Sequence, residues 1–140
     1  MSCHDRHPDH RCIFCVFRAV RERSRPLTCA LFESLLPYRQ RIIHVRWSGE
    51  ACWIPLGQLD FGIGHENATS YPAPGQILLY PGGVSETEIL IAYGAVRFAS
   101  KAGQLAGNHF LTIVEGAGQL RALGELTLWH GAQSIEFDRT

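Results

Sequence analysis

The stretch Tyr71–Gly94, YPAPGQILLYPGGVSETEILIAYG, constrains the fold more than any other part of the chain. It holds two short apolar runs, Gln76–Tyr80 and Glu88–Tyr93. Pro72, Pro74 and Gly75 precede the first run, and Pro81, Gly82 and Gly83 separate it from the second. Runs this short, rich in Ile, Leu and Tyr between Gly/Pro clusters, read as buried strands rather than helices. Pro81 has no N–H to give a ladder and the two glycines accept positive φ, so the chain must leave the sheet there and turn back. The expectation is a central strand pair joined by a wide loop, Pro81–Glu86. Ile89, Ile91 and Tyr93 then share the interior face, and Glu88 looks outward beside Glu86.

The rest of the chain hangs on this hairpin. Ser24 and Pro26 read as a helix start, with Leu27, Ala30, Leu31 and Leu35 at helical spacing, Phe32 and Leu36 widening the stripe, and Pro37 as the stop. Arg41–Ser48 alternates, so that Ile43, Val45 and Trp47 face one way and Ile42, His44, Arg46 and Ser48 the other. Gly49–Glu50 reads as a tight turn and Ala51–Pro55 as the returning strand. Leu56–Ser70 is a glycine-containing loop that ends in a polar run from His65. Val96–Ser100 extends the sheet, Lys101–Asn108 is a loop, and His109–Val114 is a strand. Gly116–Leu123 makes one or two helical turns, and Leu126–Trp129 and Ser134–Phe137 are closing strands about Gly131. Many short strands with frequent turns predict a mainly β domain: a small closed barrel of roughly seven to eight strands with one or two short helices.

Charge divides the chain. Residues 1–25 hold Arg6, Arg11, Arg18, Arg21, Arg23 and Arg25 against Asp5, Asp9 and Glu22, so a basic leader precedes a mildly acidic body, 26–140. The formal net charge of the 140 residues is zero, which argues against general nucleic-acid or membrane-surface binding. No stretch has the apolar length of a transmembrane helix and none reads as a signal peptide. Five cysteines, three of them within the first fifteen residues, do not form a secreted disulfide framework, so a reducing cytoplasm is expected. In the leader, His7, His10, Cys12 and Cys15 offer four nitrogen and sulfur ligands, but only Cys12-x-x-Cys15 has a familiar spacing and no second pair follows, so no metal is assigned. Cys12–Phe17 reads as an edge strand or the start of a helix.

No Walker or Rossmann glycine pattern and no Gly-x-Ser-x-Gly elbow is present, so no cofactor is expected. The candidate site is a set of scattered polar residues: His44, Arg46, Asn67, Glu86 and Asn108 for ligand binding, and Glu66 and His109 for proton transfer. An arginine holds a carboxylate by a bidentate pair, His and Glu move protons near neutral pH, and the two asparagines hold an amide or an oxyanion. Tyr71 and Trp129 are the aromatics expected to line the pocket, the others being core. Most of the polar set is expected on one concave face, with Arg46 as anion anchor, because desolvating several such groups together is costly unless something polar is bound.

The segments PLTCALFESLLP, HVRWSGEACWIPL, HENATSYPAPGQILLYPGG, SETEILIAYG, AGQLAGNHFLTIVEG and LWHGAQSIEF together resemble a bacterial and archaeal family of unknown function within the cyclophilin-like fold. The likeness runs from about Pro26 to Phe137 and implies a compact β-barrel with a helix packed at its end. The leader departs from that family's usual plain alternating strand and reads as an added segment or a misassigned start. True peptidyl-prolyl isomerases are more distant. Gly107-Asn108-His109-Phe110 is similar to their Gly-Ser-Gln-Phe-Phe strand-loop, but their phenylalanine-histidine-arginine motif has no counterpart here. By analogy with cyclophilin-like domains of enzymes that open lactams, the ligand expected is a small polar metabolite, a carboxylate or a cyclic amide, bound and, if Glu66 or His109 moves a proton, transformed. A peptide-binding module or weak isomerase is the second reading, and a non-catalytic interaction subunit the third. The sequence leaves a homo-oligomer open.

Overall fold

The structure is a computed structural model and describes residues 2–4 and 14–139. In chain order its elements are β1 (Ser2–His4), β2 (Phe14–Val16), β3 (Arg18–Arg21), α1 (Pro26–Leu35), β4 (Tyr38–His44), β5 (Gly49–Pro55), β6 (Ala68–Thr69), β7 (Gln76–Tyr80), β8 (Glu88–Val96), β9 (Ala99–Ser100), β10 (Gly103–Gln104), β11 (Gly107–Glu115), a short 3-10 turn (Ala117–Gln119), α2 (Leu120–His130) and β12 (Gln133–Phe137). The expected central hairpin forms over the predicted residues: β7 and β8 pair antiparallel, with Ile77 opposite Ile91 and Tyr80 opposite Glu88.

The main sheet runs β2-β1-β12-β4-β5-β8-β7-β11-β3, with β6 added on β11. It is strongly curled but open, a half-barrel rather than the closed barrel expected. The reason lies in the chain itself. The two ends of the ladder, β2 and β3, are separated only by Phe17, and a single residue cannot turn a strand back onto itself as a hairpin does. The chain instead crosses from one sheet edge to the other at Phe17, whose ring is buried in the core. The segment read as a leader thus supplies both edges through residues 14–21. The His7, His10 and Cys12 of the considered zinc set lie outside the described residues. Cys15, Cys29 and Cys52 are buried free thiols.

Both faces of the central strands are covered. Ile42, Cys52, Ile54, Ile77, Ile89 and Ile91 form the inner core with Phe32 of α1 and Leu120, Leu123 and Leu126 of α2. Leu78, Tyr80, Leu90, Phe98 and Leu105 form a second cluster on the other face. Every residue from Glu88 to Ala92 is therefore buried, which corrects the outward Glu88 of the sequence reading. A strand covered on both faces shows no polar alternation to read.

Two further expectations change. Leu126–Trp129 is helix, not strand: Leu120, Leu123 and Leu126, with Thr127, fall on one buried face at helical spacing. An apolar run as short as LTLW carries no period of its own and follows the helix that precedes it. Gly131, at φ 80, ends that helix. The alternation read through Ser48 also stops early. β4 ends at His44, and residues 45–48 form the connection to β5, with Val45 N–H donating to the Ala51 carbonyl.

Candidate functional site

The nine expected site residues do not meet on one face; they fall into separate places. The first is a network at the start of α1. Four N–H groups at any helix start lack partners in the helix. Here Arg25 occupies the cap position and makes no side-chain cap. Glu66, from the polar run before the hairpin, supplies it instead. Its carboxylate accepts from the Leu27 N–H at 3.0 Å, the Thr28 N–H at 3.1 Å and the Thr28 hydroxyl at 3.0 Å. Partial burial opposes its ionisation, but the N–H donors of Thr28 and Leu27, the Thr28 hydroxyl and the Arg25 charge outweigh that and hold it below the usual carboxylate range. Fully buried Asn108 joins the pieces, accepting from Glu66 N–H at 2.8 Å and donating to the Gly64 carbonyl and the Thr28 hydroxyl. Asn67, at φ 48, donates to the Ser24 carbonyl, and its own carbonyl accepts from Arg25. His109 lies 2.8 Å from the Thr112 hydroxyl, which donates to Glu22. Burial pushes the His109 pKa down, against a partial opposing pull from Glu22.

His44 stands apart, on the face of Ile42. Its Nδ1–H donates to the Val45 carbonyl, and its Nε2 lies 2.7 Å from the Tyr93 hydroxyl. Arg121 lies over the Tyr93 ring and pairs with Glu50 at 3.1 Å. Tyr71 and Trp129 are exposed and line neither the cavity between α1 and β3 nor the one beside Arg46.

One cavity, of about 950 Å³, lies between α1 and β3; none of the expected site residues lines it, and its Arg18 and Arg21 already pair with Glu115 and Glu33. The other, of about 1170 Å³, opens on the face of Ile43 and Val45 and takes in Arg46 and Glu86. Because the strand ends at His44, Arg46 swings to this side while His44 stays on the opposite one. Glu88 and Trp53 also line this cleft. Glu88 is 5 % exposed and its carboxyl has no hydrogen bond among the described residues. Burial, reinforced by the charge of Glu86, pushes its pKa up to about 8, so the carboxyl carries its proton at neutral pH. The Trp53 indole N–H is sealed from solvent without a partner among the described residues, as is the Arg25 Nε at the start of α1.

Two sets of hydrogen bonds shape the cleft. Ser48 accepts from Ala99 N–H and donates to the Ala99 carbonyl, both at 3.0 Å, so the turn carrying Arg46 is tied to the hairpin carrying Lys101. Thr87 donates its hydroxyl to Leu59 and its N–H to Gly57, and its carbonyl accepts from Leu56, which ties the loop of Asp60 to the strand entry of Glu86 and Glu88. Arg46, Lys101 and Glu86 make no ion pair among the described residues. Trp47, Leu59 and Val84, all exposed, stand among the cleft residues.

A family model described as "Protein of unknown function (DUF3830)" matches residues 9–139. The chain belongs to the DUF3830 family. The match begins inside the basic leader, so the family's sequence pattern includes the strands that form both sheet edges. No curated protein matches this DUF3830 chain. Among solved structures it is similar to McbB, described as "Structure of McbB in complex with tryptophan", at 15% identity and a TM-score of 0.64; the likeness covers 90% of this chain and 42% of that one. The likeness is one of fold. In this DUF3830 chain the sequence reading missed Glu88, Trp53 and Lys101. The signal for Glu88 was a carboxylate opening a run with no polar alternation, which places the strand's first side chain under cover as well.

Proposed function

We propose that this protein binds a small polar metabolite, a carboxylate or a cyclic amide, in the cleft of Arg46, Trp53, Glu86 and Glu88. The observations that carry the reading are the Trp53 indole N–H, buried at the cleft without a partner, and the Glu88 carboxyl, which makes no hydrogen bond among the described residues. An unpaired polar group in such a place costs stability, and a bound ligand that accepts its proton offsets that cost. An indole N–H is a donor and suits a carbonyl or carboxylate oxygen, and the Glu88 carboxyl offers the ligand a polar partner at the other end of the cleft. Arg46 is the anion anchor at the exposed side. The fold likeness to McbB, solved in complex with tryptophan, supports small-molecule binding on this architecture. The cyclophilin-like kinship and a cytoplasmic setting belong to the same reading. They rest on the sequence segments and on the buried free thiols.

Under this reading Glu66, Asn67 and Asn108 act as supports of the α1 start and His109 as a partner of Thr112, with no direct part in the ligand's chemistry. The test is a thermal-shift panel of small carboxylates and lactams on the native chain and on Arg46→Ala. A ligand that binds only the folded state raises the midpoint. At least one carboxylate or lactam is expected to do so, and Arg46→Ala to abolish the carboxylate shift with the unliganded midpoint unchanged. A panel without any shift, or shifts indifferent to Arg46, removes the proposal.

A further inference from the structure

The cleft is dipolar. The Ser48 bonds join Arg46 and Lys101 into a basic wall, and the Thr87 bonds join Asp60, Glu86 and Glu88 into an acidic one. Trp53 stands between them on β5. Register fixes their separation: Val45 bonds Ala51 at one end of β5, and Glu88 is opposite Pro55 at the other. Those positions are roughly 13 Å apart at about 3.3 Å per residue, and an arginine side chain bridges about half of that. A purely anionic ligand satisfies only the basic wall. It also brings a third negative charge toward Glu86 and Asp60, against simple electrostatics. Exposed Trp47, Leu59 and Val84 are suited to an apolar body between charged ends.

We infer that the cleft takes an extended zwitterion, with its carboxylate at Arg46 and Lys101, its ammonium between Glu86 and Glu88, and a linker of several bonds along Trp53, as in an ω-amino acid or a short peptide. The inference deepens the proposed function and rests on it. Glu88 is then a ligand-binding residue that gives up its proton when the ammonium arrives. The titratable and charged groups facing it are Glu86, Asp60, Arg46 and Lys101 in the cleft and Tyr80 on β7.

The test is calorimetric titration of the full chain with ε-aminocaproate, caproate and hexylamine. The expected result is that ε-aminocaproate binds at least about tenfold more tightly than either singly charged analogue, the ratio of one lost ion pair of about 1.4 kcal/mol. It should release close to one proton near neutral pH, read by repeating the titration in buffers of different ionisation enthalpy. Glu88→Gln is expected to bring ε-aminocaproate to the affinity of caproate and to abolish the proton release; if that variant does not fold, exposed Glu86→Gln should reduce the same ratio. If caproate binds as tightly as ε-aminocaproate and Arg46→Ala abolishes its binding, the zwitterion is wrong and the cleft reading survives. If none of the three binds, the inference falls, while the carboxylate and lactam panel judges the cleft on its own.

Discussion

Two regions of this molecule are rich in polar side chains, and they differ in whether those side chains complete one another. At the start of α1, Glu66, Thr28, Asn108, Asn67 and Arg25 exchange hydrogen bonds among themselves and with backbone groups, and among the described residues the Arg25 Nε alone is left buried without a partner there. In the cleft, among the described residues, the Trp53 N–H is buried with no partner, the Glu88 carboxyl makes no hydrogen bond, and Arg46, Lys101 and Glu86 form no ion pair. Both regions look alike in sequence, as polar residues flanking a strand. A polar cluster whose groups mostly satisfy one another holds the fold, whereas one whose charged groups face an open cavity without partners is arranged for something else.

The contrast breaks if the two regions respond alike to substitution. The largest effects are expected in the shared scaffold and the self-satisfied network. Ile89→Ala or Ile91→Ala should cost about 2–5 kcal/mol by chemical denaturation, as buried large-to-small changes do. Asn108→Leu should cost about 3 kcal/mol or more, since it strips the Glu66 N–H, the Thr28 hydroxyl and the Gly64 carbonyl of a buried partner. A cost under about 1 kcal/mol for Asn108→Leu would dissolve the distinction.

Glu88 should behave in the opposite sense. Its pKa is raised on folding, so the folded chain holds a proton that the unfolded chain loses near the ordinary Glu value of 4.5. Its contribution is complete below that value and is lost as pH rises toward about 8. Stability measured from pH 5 to pH 9 is expected to fall across that window, and Glu88→Gln to flatten the fall and to exceed the native chain at the alkaline end by a few kcal/mol at most, about 1.4 per pKa unit. Equal slopes in the two proteins would contradict the buried acid.

Smaller changes sharpen the comparison. Glu66→Ala removes a helix cap and should cost about 0.5–2 kcal/mol near neutral pH. The folded pKa of Glu66 is lowered, so its contribution exists above the unfolded value and disappears as pH falls through the folded one, the reverse of Glu88. Arg46→Ala should move stability by less than about 0.5 kcal/mol, because its side chain is exposed and unpaired, while removing carboxylate binding.

The central hairpin was legible because Gly75, Pro81, Gly82 and Gly83 bound its two apolar runs, and local punctuation survives whatever surrounds it. α1 was legible for the same reason, between Pro26 and Pro37. What failed was decided elsewhere in the chain. Glu88 reads as outward on the expectation that a strand has one wet face; the outer face of β8 is instead covered by a second cluster that includes Phe98 and Leu105, which no local pattern announces, and Glu88 itself borders the cleft. His44 and Arg46 parted because the ladder stopped at His44, a boundary set by pairing with Cys52. LTLW was misread because its buried side is defined by α2 packing on the sheet. The open edge arose from the single residue Phe17 between β2 and β3, visible in sequence only once both flanks are known to be strands. The candidate site is half legible: Arg46 and Glu86 stand in the expected set, whereas Trp53 reads as core, Lys101 as loop and Glu88 as outward.

The cleft, not the α1 network, holds the carboxyl driven toward its neutral form. Titration of the carboxyl carbons of Glu88 and Glu66 by NMR in one labelled sample tests it most directly. Glu88 is expected to titrate at about 8 and Glu66 below the ordinary value of 4.5. Both carboxyls titrating together near 4.5, or Glu66 above Glu88, would contradict it.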